Sequence, residues 1–235
     1  ANHFAEQHCA HCVPPLRTAK QSIWCIRLPP LATVPMRNTI LPPSVLAALL
    51  SACATESVIL NSDRIEQRFG SYGIEVLASE AGLRRSNLFS YDGDTATCRT
   101  YAIVEFVEQL DDRYDEAHAR VLAGDSIGAT FRDDGWDLQK HTLFVGVARL
   151  PEGPSEVRRL MRLTGAHDLA LHVYQLVLVR GDMELEYATI LEAHHPEYLT
   201  KKDLEAIFEV DSSHPLSRSD LARLSDLLFN SKNQN

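Results

Sequence analysis

The sequence predicts an α+β fold, a single antiparallel β-sheet with helices packed on one face. Two hairpins and the absence of strand–helix–strand alternation carry that expectation. The first hairpin runs from Arg85–Tyr91 through Asp92-Gly93-Asp94 into Thr97–Val107, and the second joins His172–Val179 to Leu185–Glu192 through Arg180-Gly181-Asp182. Helical patterns collect instead at the beginning, middle and end of the chain.

Each element has its own local signal. Residues 1–40 hold Pro14, Pro15, Pro29, Pro30 and Pro35 among scattered polar residues, which suits an irregular arm. Pro42 and Pro43 lead into Ser44–Ala54, where Val45, Leu46, Leu49 and Leu50 follow helical spacing. A second helix covers Asp63–Phe69, entered through Asn61, Ser62 or Asp63 as a cap. Ile74–Ala78 is a short strand, Asp111–Ala123 a helix stopped at Gly124, and Asp125 or Ser126 caps a short helix closed by Gly135. Leu138–Ala148 is a strand and Ser155–Leu163 a helix. Residues 201–228 hold two short amphipathic helices, with Ser219 and Asp220 near the start of the last. The expected organisation is an arm over 1–40, a main domain over 41–200 and a helical extension over 201–235.

Composition narrows the function. A chain of 235 residues that is 45% hydrophobic buries one sizeable core. A formal net charge of -9 with no block of Lys and Arg argues against a nucleic-acid surface. No run of about 18 apolar residues is present, so no membrane-spanning helix is expected. Cys9, Cys12, Cys25, Cys53 and Cys98 form no regular framework, which favours a reducing, cytoplasmic setting. The start at Ala1 fits removal of an initiator or a longer segment, and Leu50-Ser51-Ala52-Cys53 imitates a lipoprotein signal, the minor alternative to the helix start at Pro42 and Pro43. His8-Cys9-Ala10-His11-Cys12 is too tight a knot to close a zinc site without a second ligand pair, so no metal is expected there. Cys98 reads as a buried strand cysteine, Trp24 and Trp136 as packing, and His194-His195 as a strand end with one ring exposed.

The candidate site rests on charges in strands. Arg85 and Arg99 lie within the arms of the first hairpin, and Glu192 interrupts an apolar strand. A half-buried arm carries an ion only with a partner, which points to a small anionic organic acid. Two guanidinium forks suit a ligand with two anionic groups. Backbone N–H groups at Ser126-Ile127-Gly128 and at Ile65 add donors at helix starts, and Glu192 faces the other end as acceptor or general base. The plain alternative pairs Arg85 and Arg99 with Glu105 or Glu75 on a solvated face, with Glu192 sharing a wet alternation with Glu184 and Glu186.

Taken in order, several segments resemble chorismate lyase and its chorismate-lyase-like relatives. They are Pro43 with Val45–Leu50, Asp63–Phe69, Arg85 eight positions before Gly93, Arg99-Thr100, Ser126-Ile127-Gly128, and Glu192 four positions before Pro196. The resemblance covers about residues 40–200. It implies that Arg85, with the N–H groups of Ile65 and Ile127, binds a ring carboxylate, that Glu192 contacts the product hydroxyl and that Arg99 lies near the enolpyruvyl end. It implies elimination of pyruvate from chorismate to give 4-hydroxybenzoate without metal or organic cofactor. The fold is shared with effector-sensing domains of one class of bacterial transcription regulators, so a non-catalytic binder of a small aromatic or carboxylated ligand is the second reading. The chain departs from the pattern at Ser51–Ser57, which looks inserted, at the extra arginine in Arg84-Arg85, and at His194-His195, where an apolar pair is expected.

Overall fold

A computed structural model describes residues 59–80, 82–210 and 216–229, all within one compact unit spanning residues 53–235. The expected arm, the helix at Ser44–Ala54, the His8–Cys12 knot, Trp24 and Cys53 lie outside the described residues.

The elements run α1 (Asn61–Phe69), β1 (Gly73–Glu80), β2 (Leu83–Asp92), β3 (Thr95–Phe106), a 3-10 turn (Asp112–Tyr114), α2 (Asp115–Ala123), α3 (Ile127–Asp133), β4 (Asp137–Arg149), α4 (Glu156–Met161), β5 (Asp168–Arg180), β6 (Met183–His194), α5 (Lys201–Ile207) and α6 (Arg218–Phe229). Six strands form one open sheet in the order β1-β2-β3-β6-β5-β4, and every pairing is antiparallel. Both expected hairpins are present. Asp92 pairs with Thr95 and Arg180 with Met183, leaving the two-residue loops Gly93-Asp94 and Gly181-Asp182. Gly93 (φ 60°) and Gly181 (φ 62°) each occupy the first loop position, where a tight hairpin turn needs a left-handed residue.

Helices cover both faces of the sheet, not one. On the first face α1, α2, α3 and α5 pack over Val104, Phe106, Tyr174, Leu176 and Ile190, and over Leu88, Ala102 and Ala170. On the second, α4 and α6 deliver Val157, Met161, Leu224 and Leu228 onto Tyr101, Ile103, Leu171, Val173, Leu191 and Ala193. The cause is the unbroken apolar run Tyr101–Val104, which alternation splits between two faces, both of which then require cover. Tyr101 also donates a 2.6 Å hydrogen bond to Glu156 of α4, fixing that layer.

Two bulges re-aim side chains near the site. Leu88 pairs with Thr100 and Phe89 with Cys98, so Arg99 is an extra residue in β3. Leu176 pairs with Ala188 and Val177 with Glu186, so Tyr187 is an extra residue in β6. The second bulge breaks the alternation expected for Glu184, Glu186 and Glu192. The first two are exposed while Glu192 is 4% exposed. Among the described residues no helix is long and apolar enough to cross a membrane.

Candidate functional site

Between the first sheet face and the starts of α1 and α3 lies a cavity that opens to solvent at one side. Its floor carries Arg84, Ser86 and Leu88 of β2, Ala102 and Val104 of β3, Ile190 and Glu192 of β6, Tyr174 and Leu176 of β5, and Lys140 of β4. Leu60, Asn61 and Ser62 at the start of α1 and Ser126, Ile127 and Gly128 at the start of α3 close the rim.

Of the expected site residues, Glu192, Ile127 and Gly128 border this cavity, and Arg85, Arg99 and Ile65 do not. Arg84 takes the place expected for Arg85. With a side-chain period of two, Arg84, Ser86 and Leu88 share the cavity face, whereas Arg85 stands opposite Ile103 on the face covered by α4 and α6. Arg85 is half-buried there, and its Nε has no hydrogen-bond partner. The bulge turns Arg99 toward the end of α1. Its Nε donates to Ser90 Oγ at 2.8 Å, its guanidinium lies 3.9 Å from the centre of the Phe69 ring, and Glu197 stands at 3.9 Å. Ile65 lies a full turn inside α1, which begins at Asn61, so its N–H is committed to the helix and its side chain is core.

Arg84 is 1% exposed and held by three hydrogen bonds, from Nε to Ser86 Oγ (3.0 Å), Nη1 to the Val121 carbonyl (2.7 Å) and Nη2 to the Asp125 carbonyl (3.0 Å). All three acceptors are neutral. Burial lowers its pKa, against the pull of Tyr187, Tyr72 and Asp125, and a guanidinium remains charged even so. A buried cation without a hydrogen-bonded carboxylate therefore forms part of the wall. Lys140, half-buried, adds a second, its Nζ 4.3 Å from the centre of the Tyr174 ring. Burial lowers the Lys140 pKa and Glu192 raises it.

Asn61, which the sequence suggested only as a helix cap, organises the other end. It makes no cap bond. Its Nδ2 donates to Glu192 Oε1 (3.2 Å) and Thr100 Oγ1 (3.1 Å), and its Oδ1 accepts from Tyr198 OH (2.7 Å). Tyr174 OH also donates to Glu192 Oε1 at 3.2 Å. Both partners grip one carboxylate oxygen.

The other oxygen, Oε2, faces two imidazoles, with His172 Nδ1 and His194 Nε2 each 3.8 Å away. His172 pairs with Glu192 in the β5–β6 register, and His194 follows Glu192 by two residues on the same face of β6. The far nitrogens are engaged, His172 Nε2 with Thr142 Oγ1 and His194 Nδ1 with Thr100 Oγ1, both at 3.0 Å. The near nitrogens have no partner although both rings are almost wholly buried. Contrary to the expectation of one exposed ring, His195 is buried as well, at 5% exposure, its Nε2 joined to the Met161 carbonyl.

Burial alone would push the Glu192 carboxyl up, but Lys140 and the two imidazoles pull it well below the ordinary carboxylate range. Burial lowers His172 and takes His194 down to about 3, outweighing the opposite pull of Glu192. Burial thus disfavours the charged form of both rings, and Lys140 is the first of the groups that hold Glu192 down.

No protein-family model matches the chain, and a search of curated proteins returned no match either.

Proposed function

We propose that the cavity binds chorismate and eliminates pyruvate from it, leaving 4-hydroxybenzoate, on a chorismate-lyase-like fold. The observation that carries this reading is the pairing, along one cavity, of a buried guanidinium lacking a carboxylate partner with a buried glutamate. Such a space favours a ligand with a carboxylate at one end and a hydroxyl at the other. Across two strand spacings and two residues of rise, the Arg84 and Glu192 Cα atoms stand about 12 Å apart, so the two groups can meet different ends of one ligand.

In this reading Arg84 takes the ring carboxylate, Glu192 takes the C4 hydroxyl, and Lys140 replaces Arg99 as the cation for the enolpyruvyl carboxylate. The C3–O bond breaks, the C4 hydrogen leaves, and the enolpyruvyl methylene gains a hydrogen to become the pyruvate methyl. Aromatisation supplies the driving force. The protein's contribution is orientation of a dianion, worth on the order of 7 to 11 kcal/mol in favourable cases. A reaction on chorismate also accords with a cytoplasmic setting.

The test is incubation with chorismate while 4-hydroxybenzoate and pyruvate are both followed. Equal release of the two products, abolished in Arg84→Met and depressed in Glu192→Gln, is the expected result. Tight binding without product would assign the cavity to a ligand-binding protein instead, and neither binding nor product would remove the reading.

A further inference from the structure

The geometry points to a divalent transition-metal site, of the zinc class, formed by His172 Nδ1, Glu192 Oε2 and His194 Nε2 directly behind the cavity wall. It goes beyond the lyase reading, which needs no metal, and does not rest on it.

The three atoms lie within 4.8 Å of one another, and they form the only such cluster among the described residues. Two ligands each about 2.1 Å from one tetrahedral ion stand about 3.4 Å apart. The two nitrogen–oxygen separations of 3.8 Å exceed that by about 0.4 Å. The widest pair, within 4.8 Å, closes by about 1.4 Å at most, which rotation of the two imidazoles toward the ion supplies.

The same 3.8 Å is too long for a direct hydrogen bond, so as they stand the near nitrogens satisfy nothing. Two buried imidazoles aimed at one buried carboxylate oxygen without contact are costly to keep, and a shared ion removes that cost. The surroundings are those of a metal site. With Nε2–H of His172 donating to Thr142 Oγ1 and Nδ1–H of His194 donating to Thr100 Oγ1, both inward nitrogens present lone pairs. Asn61 and Tyr174 hold Oε1, which leaves Oε2 aimed at the imidazoles. Phe208 stacks on His172 at 4.0 Å between ring centres, fixing the ring plane.

The ligand chemistry selects the ion. Two imidazole nitrogens and one carboxylate oxygen suit zinc, cobalt or ferrous iron, and do not suit calcium or magnesium, which take oxygen sets. Three protein ligands leave a fourth position for water or for a ligand group.

The test uses the full chain, stripped with chelator and titrated with Co²⁺ and Zn²⁺. One equivalent of Co²⁺ should bind with visible d–d bands and no thiolate charge-transfer band. Zn²⁺ should displace it and raise the melting temperature. Binding should persist in the double variant Cys9→Ser, Cys12→Ser, which removes the thiols of the amino-terminal His/Cys knot. It should be lost in His172→Gln and His194→Gln. Thr142→Val, which alters no ligand and keeps side-chain volume, should lower zinc affinity by about tenfold. That variant keeps the test valid if a histidine variant does not fold. A chain that takes up no ion, because a water occupies the same three atoms, overturns the site. So does a thiolate band, or binding that disappears with the cysteines and survives in the histidine variants. Chorismate turnover is measured separately, so loss of either property leaves the other standing.

Discussion

Asn61 Nδ2 and Glu192 Oε1 meet at 3.2 Å across 131 residues of chain, joining the first turn of α1 to the last residues of β6. The contact sets the height of the cavity and the direction in which Glu192 presents its second oxygen. Because Asn61 also accepts from Tyr198 and donates to Thr100, one side chain satisfies three buried polar groups. Asn61→Ala takes one hydrogen bond from each, leaving Glu192 with Tyr174, Thr100 with His194, and the Tyr198 hydroxyl without its 2.7 Å acceptor. It should destabilise the fold by about 2–3 kcal/mol, read from urea denaturation. An unchanged midpoint would mean that water replaces the amide at no cost.

The two adjacent arginines of β2 give the sharpest contrast. Arg84 borders the cavity and Arg85 faces the opposite layer. Arg84→Met should weaken binding of 4-hydroxybenzoate roughly 10- to 100-fold, the range of a lost charge-assisted hydrogen bond. Arg85→Met should leave that affinity within about twofold. Titration calorimetry on both variants checks this, and the reverse ranking would place the ligand on the other face.

How much of this was legible in the sequence depends on what each feature needs. The hairpins at Gly93 and Gly181 follow from local turn chemistry and are found where expected. Glu192 stands out as a charge inside an apolar strand, whereas Lys140, set among Gln139, His141 and Thr142, does not. The choice between Arg84 and Arg85 depends on register, since a one-residue shift exchanges the faces of a strand. Only pairing across β2–β3 decides it. The bulge at Tyr187, which separates Glu192 from the exposed Glu184 and Glu186, has no marker in composition. His172 is a lone histidine until β5 and β6 are aligned, and Glu192-Ala193-His194 becomes a pair of ligands only with His172 opposite. The unbroken apolar run Tyr101–Val104 marks a strand covered on each side, a feature that the expectation of helices on one face passes over.

Gly128 approaches Leu60 at the cavity rim. A Cβ there would lie 2.4 Å from Leu60 Cδ1 and 3.2 Å from its Cγ, and Leu60 is itself buried. Gly128→Ala should therefore push Leu60 into the cavity. We expect a stability cost of about 1–3 kcal/mol for overpacking, together with weaker binding of 4-hydroxybenzoate. Gly93→Ala, strained at a distant turn, should lower stability without changing affinity at saturating folded protein.

Cys98 is 1% exposed in β3, and burial raises its thiol pKa far above the ordinary range, against the pull of the Thr100 backbone and Arg99. A thiol held protonated and inaccessible does not attack alkylating agents. Peptide mapping after iodoacetamide treatment at pH 8 should find Cys98 unmodified in the native protein and modified in denaturant. Rapid native labelling would mean that β3 opens locally.

His118 supplies a pH dependence separate from the Glu192 cluster. It is half-buried on α2, edge-on to Phe106 at 4.9 Å, with Nδ1 joined to Tyr187 OH at 2.8 Å. Burial lowers its pKa below the ordinary 6.5, opposed by Asp115. The folded state therefore favours the neutral ring, and the unfolded chain takes up a proton more readily as pH falls. The contribution to stability is present above pH 6.5 and is lost as pH falls through the lower folded value. Between pH 7.5 and 5.5 the urea midpoint of the wild type should fall more steeply than that of His118→Phe. The buried histidines of β5 and β6 titrate alike in both proteins and cancel in the difference. Parallel curves would mean that His118 stays solvated enough to titrate as it does in the unfolded chain.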